Sequence, residues 1–298
     1  METKKVHIPV LLQEVIRESH ITKGGIYVDG TLGMGGHATA LFLEANKNLT
    51  VVGFDKDLDA QKIAHETLTL VGAKPIIIHA SFADMKKELL ERTIDSVDCI
   101  LLDLGLSSLQ LDTDTRGFSF LRDNPLHMNM NQEGDLTAWD VVNEWSEETL
   151  ADVIFGFGEE RYARRIAKKI VEARKLKSID TTFQLVEVIK SATPFAYHKG
   201  KIHPATRTFQ ALRIAVNSEL TELENVIPDA LSLLKSGGRL LIISFHSLED
   251  RIVKNQFKKA QDEELGTVIT KKPLIAGDEE LRTNPRARSA KLRVFQRA

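Results

Sequence analysis

The chain has 298 residues, 42% of them apolar, with a formal net charge of −2 and one cysteine, Cys99. Its length suits about two domains with cores of real size, and its charge excludes a global field for a polyanion, so any nucleic-acid surface must be assembled locally. One cysteine excludes an intrachain disulfide or a cysteine-based zinc site.

Met1–Val10 has no long apolar core behind it, and no later run approaches a membrane span, so the expectation is a cytoplasmic protein with no membrane partner. His7–Ser19 turns helical after Pro9, with Leu11, Leu12, Val15 and Ile16 on one face. Ile26-Tyr27-Val28 has the make-up of a buried strand; it ends on Asp29 and breaks into Gly33, Gly35 and Gly36 before a helix near Ala38. Strand, glycine loop and helix together let backbone approach a nucleotide-like ligand, because glycine has no Cβ in the way. Thr50–Phe54 is a second apolar strand closed by Asp55, an acid placed to accept hydrogen bonds from ribose hydroxyls. The loop departs from the dinucleotide fingerprint, with Ala38 where a third glycine belongs. Asp29 suits instead a ligand bearing an ammonium group, as S-adenosylmethionine does. Taken without these acids, the glycines are equally a turn that serves packing.

A helix over Asp59–Leu70, a strand at Pro75–His79 followed by Ser81-Phe82-Ala83-Asp84, and a fourth strand at Val97–Leu102 ending on Asp103 continue the alternation. Strands alternating with helices predict a parallel, doubly wound sheet. Ligands of such sheets sit beyond the carboxyl ends of the strands, so Asp29, Asp55, Phe82 and Asp103 should converge.

From Leu111 to His203 the pattern is helical, with no convincing buried strand. Ser146 is expected to cap a helix bearing Glu147 and Glu148 in its first turn, and Thr181 with Gln184 to form a capping box. Between them Tyr162, Ala163, Ile166, Ala167, Ile170 and Val171 make an apolar stripe, and Arg161, Arg164, Arg165, Lys168 and Lys169 fill the rest of that helix. A solvated charged face is the plain reading; a phosphate-contacting face is the functional one. Helices are then expected at Phe209–Val216 and Leu220–Leu234, a turn at Ser236-Gly237-Gly238 into a strand at Arg239–Phe245, a helix at Arg251–Lys259 capped by Ser247 with Asp250, and a last strand at Lys291–Gln296. No acid occurs from Arg282 onward or within Ser191–Ser218. Three separated basic segments suggest a polyanion site formed by folding, for which Arg207, Arg286 and Arg288 join Arg164, Arg165 and Lys168 as candidate contacts.

Asp103 stands where a reacting group would meet a transferable methyl. An exocyclic base amine becomes nucleophilic when acceptors pull on its N–H bonds, and Asp103 is the candidate acceptor; capping or ligand binding alone is its alternative role. Ser247 near His246 implies no hydrolase triad, and His198 and His203 lack the spacing of helical metal ligands, so no metal is expected.

Seven stretches together carry a resemblance: Tyr27–His37, Asp103–Asp112, Arg116–Phe120, Gly158–Ala167, His203–Ile214, Ser244–Arg251 and Asn284–Arg293. In order and spacing they resemble the small-subunit ribosomal RNA methyltransferase H family, also called MraW, over nearly the whole chain. The resemblance implies a Rossmann-like class I methyltransferase sheet of α/β class (1–110 and 205–298) with an inserted helical, RNA-recognising domain (111–204). It implies S-adenosylmethionine-dependent N4-methylation of a cytosine in the decoding region of 16S rRNA in the small ribosomal subunit. It assigns cofactor contacts to Gly35, Gly36, His37, Asp55, Phe82, Asp103 and Gln110, to which the motif argument adds Asp29 and Gly33. Pro125–Met130 departs from the family pattern, with His127 and Asn129 where an acid and a base are usual, and Leu109 stands where proline is usual. That departure supports the alternative of a non-catalytic RNA-binding or ribosome-assembly factor that keeps the cofactor pocket. A dehydrogenase is the more distant alternative.

Overall fold

The computed structural model describes residues 8–105, 116–130 and 136–298. They fall into two compact units: 8–105 with 220–298, and 116–219. The first unit opens with α1 (Leu12–Ser19), β1 (Gly25–Asp29), α2 (Gly36–Glu44), β2 (Leu49–Asp55), α3 (Leu58–Leu70), β3 (Ile76–His79), α4 (Met85–Glu91) and β4 (Val97–Asp103). The second holds α5 (Ala138–Glu144), α6 (Glu147–Gly156), α7 (Ala163–Arg174), α8 (Thr182–Ala192), α9 (Phe195–His198) and α10 (Thr206–Asn217). The chain then completes the first with α11 (Glu219–Leu233), β5 (Leu234–Ser244), α12 (Ser247–Asp262), β6 (Gly266–Val268), α13 (Asp278–Thr283) and β7 (Lys291–Arg297).

The seven strands form one sheet in the order β3-β2-β1-β4-β5-β7-β6. β1 to β5 pair in parallel, and β7 runs antiparallel to β5 and β6. Alternation along each strand sorts its side chains between two layers. Tyr27, Val51, Cys99, Leu101, Leu241, Ile243 and Val294 face one core, with Val15 of α1, Leu41 of α2 and Leu68 of α3. Val28, Val52, Phe54, Ile100, Leu102, Leu240 and Ile242 face the other, with Leu89 of α4, Ile227 of α11 and Phe257 of α12. Chain order reverses between β1 and β4, the position at which open α/β sheets leave a crevice beyond their strand ends.

Two local expectations are corrected, and one strand was not expected. β5 starts at Leu234, because the Gly237-Gly238 segment is absorbed as an irregularity between the Val97↔Leu234 and Cys99↔Arg239 pairings. α12 starts at Ser247, and its cap is His246, whose Nδ1 accepts from Glu249 N–H at 3.4 Å while the Glu249 carboxylate accepts from the N–H groups of Phe245 and His246. An imidazole nitrogen does the work expected of the Ser247 hydroxyl. The three-residue β6 carries too short a pattern to stand out in sequence.

Capping by Ser146 and the Thr181–Gln184 box are present as expected. Among the described residues of the second unit, strand-like pairing is confined to one isolated bridge, Pro125 with Thr181. That unit runs to 219, beyond the boundary at 204 expected from sequence. α10 buries Phe209, Ala211, Leu212 and Ile214 and packs against α5 and α6, and Gln210 Nε2 donates to the Phe157 carbonyl at 3.0 Å. Among the described residues no helix is long and apolar enough to cross a membrane.

Candidate active site

Asp29 closes β1 almost fully buried, on the same strand face as Tyr27 two residues before it. Its Oδ2 accepts from the Tyr27 hydroxyl at 2.9 Å and its Oδ1 from Thr31 N–H at 3.2 Å. Gly33 and Gly35 take left-handed backbone, with φ of +51° and +79°, which side-chain-bearing residues rarely adopt. The resulting turn lets Gly33 N–H donate to Asp55 Oδ2 at 2.8 Å, while Asp57 N–H donates to Oδ1 at 2.8 Å. The end of β2 is thereby tied to the glycine loop after β1. Gly36 opens α2, where a Cβ would lie 2.5 Å from Pro9 Cγ. Phe82 begins a short turn after β3, capped by Ser81, whose Oγ accepts from Ala83 N–H at 3.1 Å.

Asp103, at the end of β4, has a side chain 25% exposed, yet its Oδ1 is shut off from solvent and has no hydrogen-bond partner among the described residues. Its N–H donates to Thr31 Oγ1 at 2.6 Å. Its Oδ2 lies 3.7 Å from Nδ1 of His37, a buried residue whose Nε2 lies 2.9 Å from the Val10 carbonyl oxygen. Burial raises all three acids, Asp29 and Asp55 each to about 6. Asp103 is held well above the usual carboxylate range by burial first and then by the charges of Asp29 and Glu249. No lysine or arginine among the described residues forms an ion pair with any of the three. An unpartnered buried oxygen and three acids short of counter-charge fit a cationic ligand whose donors reach them.

Asp29, Gly33, Gly35, Gly36, His37, Asp55, Phe82 and Asp103 therefore share the carboxyl edge of the sheet. Gln110 lies outside the described residues, as does Leu109. Sequence reasoning passed over Thr31, although it sits inside the opening motif, and gave no role to Glu249, which is 2% exposed and whose carboxylate accepts from two backbone N–H groups.

In the second unit Arg164, Arg165 and Lys168 lie exposed on α7, opposite the buried Ala163, Ile166, Ala167 and Ile170. Arg161 lies over the rings of Tyr162 (4.8 Å) and Tyr197 (5.1 Å), within cation–π range of both. Arg207 donates to the Glu159 carbonyl at 2.7 Å, joining α10 to the loop after α6. Arg286 and Arg288 belong to the other unit, exposed on a short helical turn over Pro285–Ser289. At the divergent Pro125–Met130 segment, Asn217 holds the backbone: its Oδ1 accepts from Met130 N–H at 2.7 Å and its Nδ2 donates to the Met128 carbonyl at 2.8 Å. His127 is exposed there, so its side chain is not what orders the segment.

A parallel sheet with β7 reversed, and acids closing β1, β2 and β4, defines a Rossmann-like α/β fold with a ligand site beyond its strand ends. The chain matches the MraW methylase family over residues 4–298 and belongs to it. It is 49% identical over 297 residues to a protein of Desulfotalea psychrophila named ribosomal RNA small subunit methyltransferase H, covering 100% of both chains. A protein of the same name from Acetivibrio thermocellus is 46% identical over 308 residues, with 98% of each chain covered. Among solved structures, an rRNA methylase from Streptococcus thermophilus is similar at 11% identity with a TM-score of 0.45, covering 100% of this chain and 98% of that one.

Proposed function

We propose that this chain methylates N4 of a cytosine in the decoding region of 16S rRNA, on the small ribosomal subunit, with S-adenosylmethionine as cofactor. The observation that carries the reading is the buried, unpartnered Oδ1 of Asp103 at the strand end next to Asp29, in a chain of the MraW methylase family. Asp29 would hold the cofactor's ammonium and Asp55 its ribose hydroxyls, with the backbone at Gly33, Gly35 and Gly36 and the ring of Phe82 completing the contact. When bound, S-adenosylmethionine supplies a methyl group made electrophilic by its sulfonium. Asp103 Oδ1 accepts an N–H of the cytosine amine, which withdraws that nitrogen's lone pair from the ring, and then retains the proton that the amine gives up. A carboxyl group raised by burial suits that second task, because burial disfavours its charged form and so favours uptake of the proton.

Labelled methyl transfer to small subunits from a strain lacking its native enzyme, followed by mass spectrometry of the RNA, tests the proposal. The expected product is N4-methylcytidine at a single site. Incorporation at another base or atom refutes the assignment, and cofactor binding without turnover favours the assembly-factor reading.

Exposed basic side chains on α7 support phosphate contact by the second unit. RNA affinity should fall steeply with salt, and replacing Arg164, Arg165 and Lys168 together by glutamine should reduce the slope of log affinity against log salt by about 2. An unchanged slope removes α7 from the interface.

A further inference from the structure

Glu222, in the first turn of α11, joins two pocket segments that are remote from it in sequence. Lys56 Nζ, on the residue after Asp55, donates to both of its carboxylate oxygens at 2.7 and 2.8 Å. The hydroxyl of Ser81, the residue before Phe82, donates to Glu222 Oε2 at 3.0 Å. Ser81 Oγ meanwhile accepts from Ala83 N–H, which sets the turn on which Phe82 stands. A further tie, between His79 Nε2 and the Lys56 carbonyl oxygen at 3.2 Å, links the ends of β3 and β2 directly. Lys56 and Glu222 are each 23% exposed at the side chain, so the pair is largely withdrawn from water and its charges are only partly screened.

We infer that Glu222 is a positioning residue for cofactor binding, clamping the Asp55 and Phe82 walls of the pocket at their working separation. The inference rests on the cofactor assignment above. A pocket whose walls are set beforehand does not spend binding energy on ordering them. Of Glu222's two partners, Lys56 aligns the β2 end and Ser81 aligns the turn after β3. Neither connection is visible as a motif, since positions 56, 81 and 222 belong to three different stretches of chain.

Titration calorimetry of the full-length protein with S-adenosylmethionine tests this, with thermal melting and saturating-cofactor turnover measured on the same samples. Glu222→Ala should raise the cofactor Kd at least tenfold while kcat at saturation changes less than threefold, and Glu222→Gln, which keeps an acceptor for Ser81, should recover most of the affinity. The double variant Lys56→Met with Glu222→Leu replaces the ion pair by apolar groups and should restore the melting temperature. It should not restore affinity, because Ser81 still lacks its acceptor. Affinity that follows melting temperature across all three variants overturns the clamp and leaves Glu222 a stabilising residue only. Wild-type protein that fails to bind S-adenosylmethionine overturns the cofactor assignment and the clamp together.

Discussion

Replacing Asp103 by alanine is expected to lower methyl transfer at saturating substrates by about 100- to 10,000-fold, the range a positioned proton acceptor contributes. The expectation follows from the two ends of one side chain. Oδ2 lies toward His37 Nδ1 at 3.7 Å, while Oδ1 is buried without a partner, so one oxygen is left for an incoming N–H. Alanine removes that acceptor while leaving in place the main-chain N–H that donates to Thr31 Oγ1, so the end of β4 should keep its course. Asn in place of Asp103 keeps an acceptor oxygen but cannot take up the departing proton, and should fall between wild type and alanine. Single-turnover methyl transfer with labelled cofactor measures this. Turnover within about threefold of wild type for the alanine variant would remove Asp103 from the chemistry and leave it a packing and capping residue.

Asp29→Asn should weaken S-adenosylmethionine binding by about 100-fold, in the range lost when one partner of a buried charge pair is removed, and should stabilise the cofactor-free protein. The second effect follows from the sign of the linkage. Burial raises the Asp29 carboxyl to about 6 in the folded chain from an ordinary 3.8, so between those values the folded state binds more protons than the unfolded one. Stability therefore falls as pH rises through that window, and above pH 6 the whole penalty of an ionised buried acid is present, on the order of 3 kcal/mol. Asparagine carries no such penalty and can still accept from Tyr27 or Thr31. Melting of the cofactor-free variant at pH 7.5 should rise by roughly 5 °C, and the gap should close below about pH 4. A cationic cofactor relieves the same penalty in wild type, so its affinity should weaken as pH falls through about 6. A variant that binds cofactor as tightly as wild type would place the ammonium elsewhere.

Much of the fold and of the site is legible in the sequence. Continuous apolar runs identified β1, β2, β4 and the core of β5, because a strand buried on both faces has to be apolar along its length. Asp29, Asp55 and Asp103 were recognisable as acids closing such runs, and parallel topology obliges strand ends to meet on one edge. The Thr181–Gln184 cap was legible because both of its halves lie within one helical turn.

Contacts between distant stretches were not legible in this way. Local spacing marks Ser247 and Asp250 as a cap as readily as His246 and Glu249, and only packing at the end of β5 chooses between them. The membership of α10 in the helical unit depends on which neighbour covers its apolar face, and amphipathic pattern names the face without naming the neighbour.

By itself, then, the sequence determined the α/β class, the strand-end acids and the family, since these rest on periodicity and on motifs contiguous in the chain. Tertiary structure alone decided that Asp103 keeps an unpartnered oxygen, that burial raises three carboxyl groups together, and that Glu222 ties residues 56 and 81 across the pocket wall. Burial and long-range hydrogen bonds arise from the closing of the chain on itself, and no stretch of it carries them alone.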